Sequence, residues 1–526
     1  MAIIAVSAVL LSGCSFDADS TNTQQGLVDS PNTLRVLAGS EVKDMTPILD
    51  DLEKATGVHV ALEYTGTLEG TQQVANGAAN GKYDATWFPS NRYLSLLKNG
   101  SEAVKQEEKI MSSPVVLGLK EDVASRLGWD KKTPTWSDIV NAVEAGKLTY
   151  GMTSPVSSNS GFSALIEAGT ALSGTGDVLT NENITTVTPK LKAFFKGQKL
   201  TSGSSGWLAE KFTSDSKSVD GIFNYESVLD GIKVDGKPLT VIAPSDGVIT
   251  ADYPLSLLRS ASSKKEKLYD KAVTYLQKNS VQKEISSLTH RRTTVASQKA
   301  SAPTIFELSF PNKLETVQNL ISAYLSDIKN PSDTFFAIDT SGSMGEGSRL
   351  QDLKNALSVL VSSSSNNSFL VFRNRESVTY NEFADSIKAT KEYEITDQNQ
   401  NNDLAEIKKY IDSLSANGGT AIYDTLEKSY SQAMKAKKAN PNNFVSIALF
   451  TDGQNTDGHS YQDFTNWYDN KIKSNPELAD IPTYVVLFGE GNKQELEGVS
   501  TLTGGKLFSA QGTSLTDVFK EIRGYQ

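Results

Sequence analysis

At 526 residues the chain is too long for one hydrophobic core, so two to four domains are expected. Acidic residues outnumber basic ones 62 to 51, and the resulting charge of −11 is carried without a basic block, which argues against nucleic acid or anionic lipid as the main partner. The 3 histidines, His59, His290 and His459, lie far apart, which leaves no His-rich zinc site and little material for a His-based triad.

The chain opens on an apolar run, "AIIAVSAVLL" (residues 2–11), that leads into "LSGC" and Cys14, the single cysteine. About ten apolar residues are too few to span a bilayer but suit the core of a signal peptide. "LSGC" resembles a bacterial lipobox, which implies cleavage before Cys14 and lipidation of its thiol. One departure from that pattern is the lack of Lys or Arg before the apolar run. The competing reading is a buried N-terminal strand with an incidental thiol. A lone cysteine forms no internal disulfide, which fits a lipid role in an exported protein. Residues 15–33, polar and aperiodic, read as a tether, and no later stretch approaches the length of a membrane span. The expectation is a lipid-anchored protein on the outer face of a membrane, in the cell envelope.

From Leu34 the text alternates. "TLRVLAG" reads as a strand, and "DMTPILDDLEKATG" as a helix with Ile48, Leu49 and Leu52 on one face and Gly57 at its end. "VHVALEY" is the next strand, and "TQQVANGAANGKYDATWF" gives a helix, a turn and a strand. Such β-α-β-α-β order implies a parallel sheet covered by helices. "SSPVVLGLKEDVASRLGW" begins a second pattern, followed by the capped helix "TPTWSDIVNAV" and by "LTYGMTSPVSSNSGFSALIEAGTAL", a strand, a Ser/Asn-rich loop and a helix. "LTVIAPSDGVITADYPLSLL" returns before a charged helix near residues 264–278. Residues 309–332 hold the amphipathic "KLETVQNLISAYLSDI" between prolines and read as a connector. A second α/β unit occupies residues 333–526.

In that unit "TFFAI" is an unbroken apolar run, as expected of a central parallel strand, and the stretch after it is "DTSGS". Asp339, Ser341 and Ser343 therefore occupy a loop at the carboxyl end of a strand, where open α/β sheets place their sites. "FVSIALFTDG" repeats the arrangement and delivers Asp452, while "ANGGTAIYDTLEKSYSQAM" delivers Thr420 at the start of a helix. An oxygen-only set with few carboxylates suits a hard cation such as Mg²⁺. Two carboxylates against a divalent ion leave the site near neutral, with an open position for a carboxylate from a partner. The competing reading is an Asx/Ser-turn loop with fortuitous neighbours.

These residues resemble the metal-ion-dependent adhesion site (MIDAS) of von Willebrand factor A domains. The family's D-x-S-x-S falls on Asp339, Ser341 and Ser343, its threonine in a G-G-T setting on Thr420, and its T-D-G aspartate on Asp452. The resemblance implies Mg²⁺ or Mn²⁺ held by the hydroxyls, with the aspartates acting directly or through water. "PTYVVLFGEGNKQELEGVSTLTGGKLFSA" is similar to the family's last strands and helix.

Residues 34–308 resemble bacterial extracellular solute-binding proteins of the two-lobed, type II periplasmic-binding fold. "YDATWFPSNRYL", "SSPVVLGLKEDVASRLGW", "TSPVSSNSGFSAL" and "APSDGVITADYPLSLL" carry that likeness by their order. The fold class expected for the whole is therefore α/β, a periplasmic-binding-like domain followed by a doubly wound, mostly parallel A domain. The resemblance places a small solute in a cleft between lobes, with three candidate loops. "AGSEV" offers Gly39 and Ser40. "SNSG" offers Ser158, Asn159 and Ser160 at a helix start, suited to an oxyanion, against the alternative of Ser160 as a plain N-cap. "FNYESVLDG" offers Tyr225 and Glu226; a cleft acid favours an amine, against the alternative of a solvated helix-start acid.

Other signals lead elsewhere. "GIKVDGKP" has the G-x₄-G-K spacing of a phosphate loop, but Pro238 replaces the hydroxyl residue and Asp235-Gly236 reads as a hairpin turn. Arg291 and Arg292 read as a solvated pair after a helix, against the alternatives of neutralising an anion or sealing the interdomain contact; His459 reads as an exposed loop residue near the metal rim, and "NTDG" lacks the remainder of a calcium loop. No nucleophile elbow with a credible base is present, so the chain reads as a binding protein and not an enzyme. The leading function is metal-dependent recognition of an acidic group on a protein partner; the alternative is a solute receptor for an ABC-type importer with an accessory A domain.

Overall fold

The computed structural model describes residues 30–294, 305–362, 370–489, 491–510, 518–519 and 522–523. Cys14, the apolar run before it and most of the expected tether lie outside the described residues.

The first lobe is a five-stranded sheet. Thr33–Ala38 lies between the parallel strands His59–Tyr64 and Ala85–Trp87, and Pro254–Leu258 returns antiparallel beside Ala85–Trp87, next to the edge strand Val104–Lys109. The helix Thr46–Thr56 buries Ile48, Leu49 and Leu52 and stops at Gly57, whose φ of 70° is a left-handed cap that a Cβ would strain. The second lobe is organised by the long strand Met111–Leu119, paired antiparallel with Gly221–Tyr225 and Thr240–Ile242. Its core stacks Trp136 on Phe223 at 5.4 Å, with Phe194 edge-on to both. Thr250–Ala251 and Arg292–Thr293 pair with the first residues of Met111–Leu119, so the crossings between lobes run side by side. The phosphate-loop lookalike is a hairpin: Lys233–Val234 pairs with Lys237–Pro238 around Asp235 and Gly236 at φ 50° and 78°.

The stretch 309–332 departs from the connector expected of it. Its helix Leu314–Ala323 continues as a π-turn, Tyr324–Ile328, and Val317, Leu320, Ile321, Tyr324, Leu325 and Ile328 all enter the first domain's core. An amphipathic face of this size needs a cover, and Phe195 supplies part of it, 5.0 Å from the Tyr324 ring.

The second unit is a six-stranded sheet in the order Ile387–Ile395, Glu376–Phe383, Ser332–Asp339, Phe444–Thr451, Thr483–Leu487, Leu507–Ser509, parallel except for the first strand. Ser332–Asp339 is buried along its whole length. Phe336 and Ile338 face one cluster, with Leu353, Leu357, Ile407 and Ile411; Phe335 and Ala337 face the other, with Ile422, Leu426, Tyr430 and Phe464. The period of two in the strand thus meets helices on both sides of the sheet.

The first domain meets this sheet near the end where its strands begin. Lys199 Nζ bonds Asn442 Oδ1 at 3.4 Å just before Phe444, Asn330 Nδ2 donates to Phe195 O at 3.1 Å just before Ser332, and a Cβ on Gly504 would come within 2.8 Å of Lys211 Nζ. The opposite end of the sheet carries Asp339 and Asp452.

Candidate functional site

Asp339 ends its strand fully buried, and its Oδ1 accepts from the backbone N–H of Ser341 at 2.8 Å, folding the loop back on the carboxylate. Ser341 Oγ and Ser343 Oγ are 3.1 Å apart, and Ser343 Oγ donates to Asp452 Oδ1 at 2.9 Å. Backbone bonds stitch in the third loop: Gly342 N donates to Gly418 O at 2.9 Å and Asn417 N to Thr340 O at 2.9 Å. Thr420 is 4% exposed; its N–H donates to Thr456 Oγ1 at 2.8 Å, and its carbonyl accepts from Thr456 N at 2.8 Å. The loops bearing the five expected residues therefore converge on one end of the sheet.

Two participants escaped the sequence reading. Thr451 Oγ1 donates to Asp339 Oδ2 at 2.6 Å, so the hydroxyl before Asp452 orients the carboxylate of the neighbouring strand. Arg349, first residue of the helix Arg349–Val359, donates to Asp452 Oδ2 at 2.9 Å and to Ser343 O at 3.0 Å. A cation opposes the dipole at a helix start, and that mismatch in "GSRLQDL" was the available signal. Burial, foremost, raises the Asp339 carboxyl above its ordinary range; the Asp452 charge adds to this, while Ser341 and Thr451 pull the other way.

The donor set fits a hard, small cation. Two hydroxyls and the Asp452 carboxylate lie within hydrogen-bond distance in series, Asp339 is joined to the same loop through Ser341 N–H, and Thr420 Oγ1 has no hydrogen-bond partner among the described residues. No group of three or more His, Cys, Asp or Glu side chains is placed to hold a metal among the described residues, so a carboxylate-rich calcium cage or a zinc site has no counterpart here. His459 keeps to the exposed loop, with Nδ1 2.8 Å from Asp424 Oδ1 and 3.0 Å from Glu427 Oε1, both of which raise its pKa.

In the first domain the loops at strand ends also meet, but in a different way from that expected. Ser158, Ser160 and Ser205 are buried, and Ser160 Oγ lies 2.8 Å from both Thr153 Oγ1 and Ser205 Oγ. Ser158, not Ser160, takes the N-cap position of the helix Asn159–Ser173, without a side-chain cap bond. The hydroxyls thus bond one another and draw together the starts of two helices, Asn159–Ser173 and Ser205–Ser214. Asn159 Nδ2 donates to Tyr225 Oη at 3.1 Å, and Tyr225 Oη donates to Glu41 Oε1 at 3.5 Å, a bond from the second lobe to the first. At a further point of approach, a Cβ on Gly66 would stand 2.8 Å from Ser157 O.

Ser40 and Glu226 do not join this cluster. Ser40 is exposed at the start of a short 3₁₀ helix. Glu226 is gripped by Arg292 at 2.6 and 2.7 Å, so its charge is satisfied and gives no preference for an amine. Arg292 is therefore not solvated, and neither is Arg291, which is 2% exposed, holds Asp44 at 2.6 and 2.8 Å, donates to Glu41 O at 2.8 Å and lies 4.8 Å over the Tyr253 ring. Tyr253 itself sits at φ 41°, a strained setting for a bulky residue, fixed by Trp87 Nε1 donating to its carbonyl at 3.1 Å.

The sequence model of bacterial extracellular solute-binding proteins matches residues 34–320, and that of the von Willebrand factor type A domain matches residues 333–521. The chain belongs to the bacterial extracellular solute-binding protein family and carries a von Willebrand factor type A domain behind the solute-binding domain. No curated protein matches it. Among solved structures it is similar to a ferric binding protein from Campylobacter jejuni (13% identity, TM-score 0.41, covering 55% of this chain and 96% of that one). It is also similar to the periplasmic binding protein AfuA from Actinobacillus pleuropneumoniae (12%, 0.44, 57% and 99%) and to the sulfate-binding protein SubI from Mycobacterium tuberculosis H37Rv (16%, 0.41, 56% and 98%). Both families are binding families, and an extracellular one places the chain in the cell envelope; among the described residues no helix is long and apolar enough to cross a membrane.

Proposed function

We propose that this is a lipid-anchored envelope protein whose A domain takes hold of an acidic group on a protein partner through Mg²⁺ or Mn²⁺ at Asp339, Ser341, Ser343, Thr420 and Asp452. Bound there, the ion would supply an electrophilic position for a carboxylate. Ser341 and Ser343 would offer neutral oxygens, and Asp339, held by Ser341 N–H and Thr451 Oγ1, would offer a buried negative charge. The observation that carries the reading is the run Ser341 Oγ, Ser343 Oγ, Asp452 Oδ1 at 3.1 and 2.9 Å, assembled from two strand ends. The end of the sheet that bears these oxygens is opposite the one the first domain covers, a separation of roughly 25 Å along eight strand residues.

Titration of the full chain with Mn²⁺, followed by the loss of the free-ion electron paramagnetic resonance signal, tests the reading. Wild-type protein should bind one ion with acetate strengthening the binding, and Asp339→Ala should abolish it. Equal uptake by both proteins would overturn the assignment. Cys14→Ser should move the protein from the membrane fraction to the medium; retention on the membrane would overturn the anchor.

The second reading, a solute receptor for an importer, is favoured by the family and by the Tyr225–Glu41 bond between lobes. Native mass spectrometry of protein taken directly from cells separates the two: a small molecule released on mild denaturation supports transport, and an empty domain supports a scaffold.

A further inference from the structure

We infer that Arg349 decides what the A-domain site accepts: by offsetting the charge of Asp452 it weakens the hold on the cation and strengthens the pull on an anionic partner group. This rests on the metal reading above and adds to it a specificity-determining residue outside the expected donor set.

The geometry is specific. Arg349 Nη1 reaches Asp452 Oδ2 at 2.9 Å while Ser343 Oγ reaches Oδ1 of the same carboxylate at 2.9 Å. The two oxygens of Asp452 are thereby given separate tasks, one toward the hydroxyl run and one toward the guanidinium. The second bond of Nη1, to Ser343 O at 3.0 Å, ties the cation to the loop that carries the hydroxyls. The neighbouring strand's loop closes on the aspartate's backbone: a Cβ on Gly489 would stand 2.9 Å from Asp452 O. The Asp452 side chain is 6% exposed and that of Arg349 32%, so the pair is only partly screened by water. Glu346 lies at 3.4 Å from Nη1 but is 74% exposed and contributes little.

Charge then sets the consequence. Asp339 and Asp452 against a divalent ion sum to zero, whereas with Arg349 the loaded site carries a net positive charge. A like charge on the far oxygen of Asp452 weakens cation binding, and the uncompensated charge favours an anion beside the ion. With Oδ2 held by Arg349, Asp452 presents only Oδ1 toward the hydroxyl run, which suits the small octahedral shell of Mg²⁺ or Mn²⁺ better than the bidentate grip common for Ca²⁺.

The test is Mn²⁺ titration of the full chain as wild type, Arg349→Met and Arg349→Lys, with and without acetate as the anionic probe, each protein checked by its thermal unfolding midpoint. Arg349→Met should bind Mn²⁺ about tenfold more tightly and lose most of the strengthening by acetate. Arg349→Lys should stay within about twofold of wild type on both counts, because the charge remains. A residue that merely props Asp452 would give the reverse, weaker Mn²⁺ binding in the methionine variant. Unchanged or weaker binding by folded Arg349→Met would overturn the inference while leaving the metal site standing; a wild type that takes up no Mn²⁺ removes the site and the inference together.

Discussion

Ser205 and Trp207 stand two residues apart at the start of one helix and belong to different halves of the molecule. Ser205 Oγ lies 2.8 Å from Ser160 Oγ in the buried hydroxyl cluster of the solute-binding domain, while Trp207 packs against the core cluster of the A domain that holds Phe336, Phe450 and Phe519. The helix Ser205–Ser214 also brings Lys211 to Gly504 of the second unit. Its first turn is capped from within, Ser204 Oγ accepting from Trp207 N at 3.4 Å, so the indole is fixed relative to the serine beside it.

Truncating that indole should loosen the boundary without unfolding either core. Trp207 is half-buried, so Trp207→Ala is expected to remove about 1–2 kcal/mol of apolar packing. Differential scanning calorimetry of the full chain should show the A-domain transition moving down while that of the first domain holds. A thermogram superimposable on that of the wild type would mean that the indole contributes nothing across the boundary.

The parts of the site that the sequence made legible are those fixed by a strand end. A buried strand followed by "DTSGS" leaves Asp339, Ser341 and Ser343 little choice of position, and "TDG" after the adjoining strand does the same for Asp452. Arg349 and Thr451 were in plain view but act through bonds between strands, which local spacing does not encode. The first domain was harder still. Arg291 meets Asp44 across 247 residues of sequence and Arg292 meets Glu226 across 66, so an arginine pair after a helix looked solvated and a cleft acid looked free. The helix Leu314–Ala323 announced by its apolar face that something must cover it, but only the packed fold shows that the first domain is the cover.

At the entrance to the A domain, Glu376 is a buried carboxylate between two cations. It is 1% exposed and accepts from Lys329 Nζ at 2.6 Å and from Arg523 Nη2 at 2.9 and 3.0 Å. Burial would raise its pKa, but the charges of Arg523 and then Lys329 outweigh burial and hold it at about 2. A lowered carboxyl stabilises the fold above its unfolded value of 4.5, and that contribution drains away as pH falls toward 2. Glu376→Gln removes the buried counter-charge that Lys329 and Arg523 share and should cost about 3–5 kcal/mol at pH 7, read from the urea midpoint. The difference from wild type should shrink between pH 4.5 and 2.5; a difference that is constant over this range would remove the ion triad as its cause.

Glu167 gives the opposite slope. It lies on the helix Asn159–Ser173 with no exposure, its Oε1 accepts from Ile249 N at 2.8 Å, and Oε2 has no partner among the described residues. Burial, above all, lifts its pKa well above the usual carboxylate range, with the Glu307 charge adding and the Ile249 bond and Arg92 opposing. The folded state therefore keeps a proton that the unfolded chain releases, so this residue costs stability increasingly as pH rises above 4.5. Glu167→Gln preserves the acceptor for Ile249 and removes the titration. The variant should match wild type at pH 4.5 and outlast it at pH 7, the gap in unfolding free energy widening by at most about 1.4 kcal/mol per pH unit. Wild type and variant losing stability in parallel from pH 5 to pH 8 would show that Glu167 is already charged inside the first domain, and that water reaches the return crossing at Ile249.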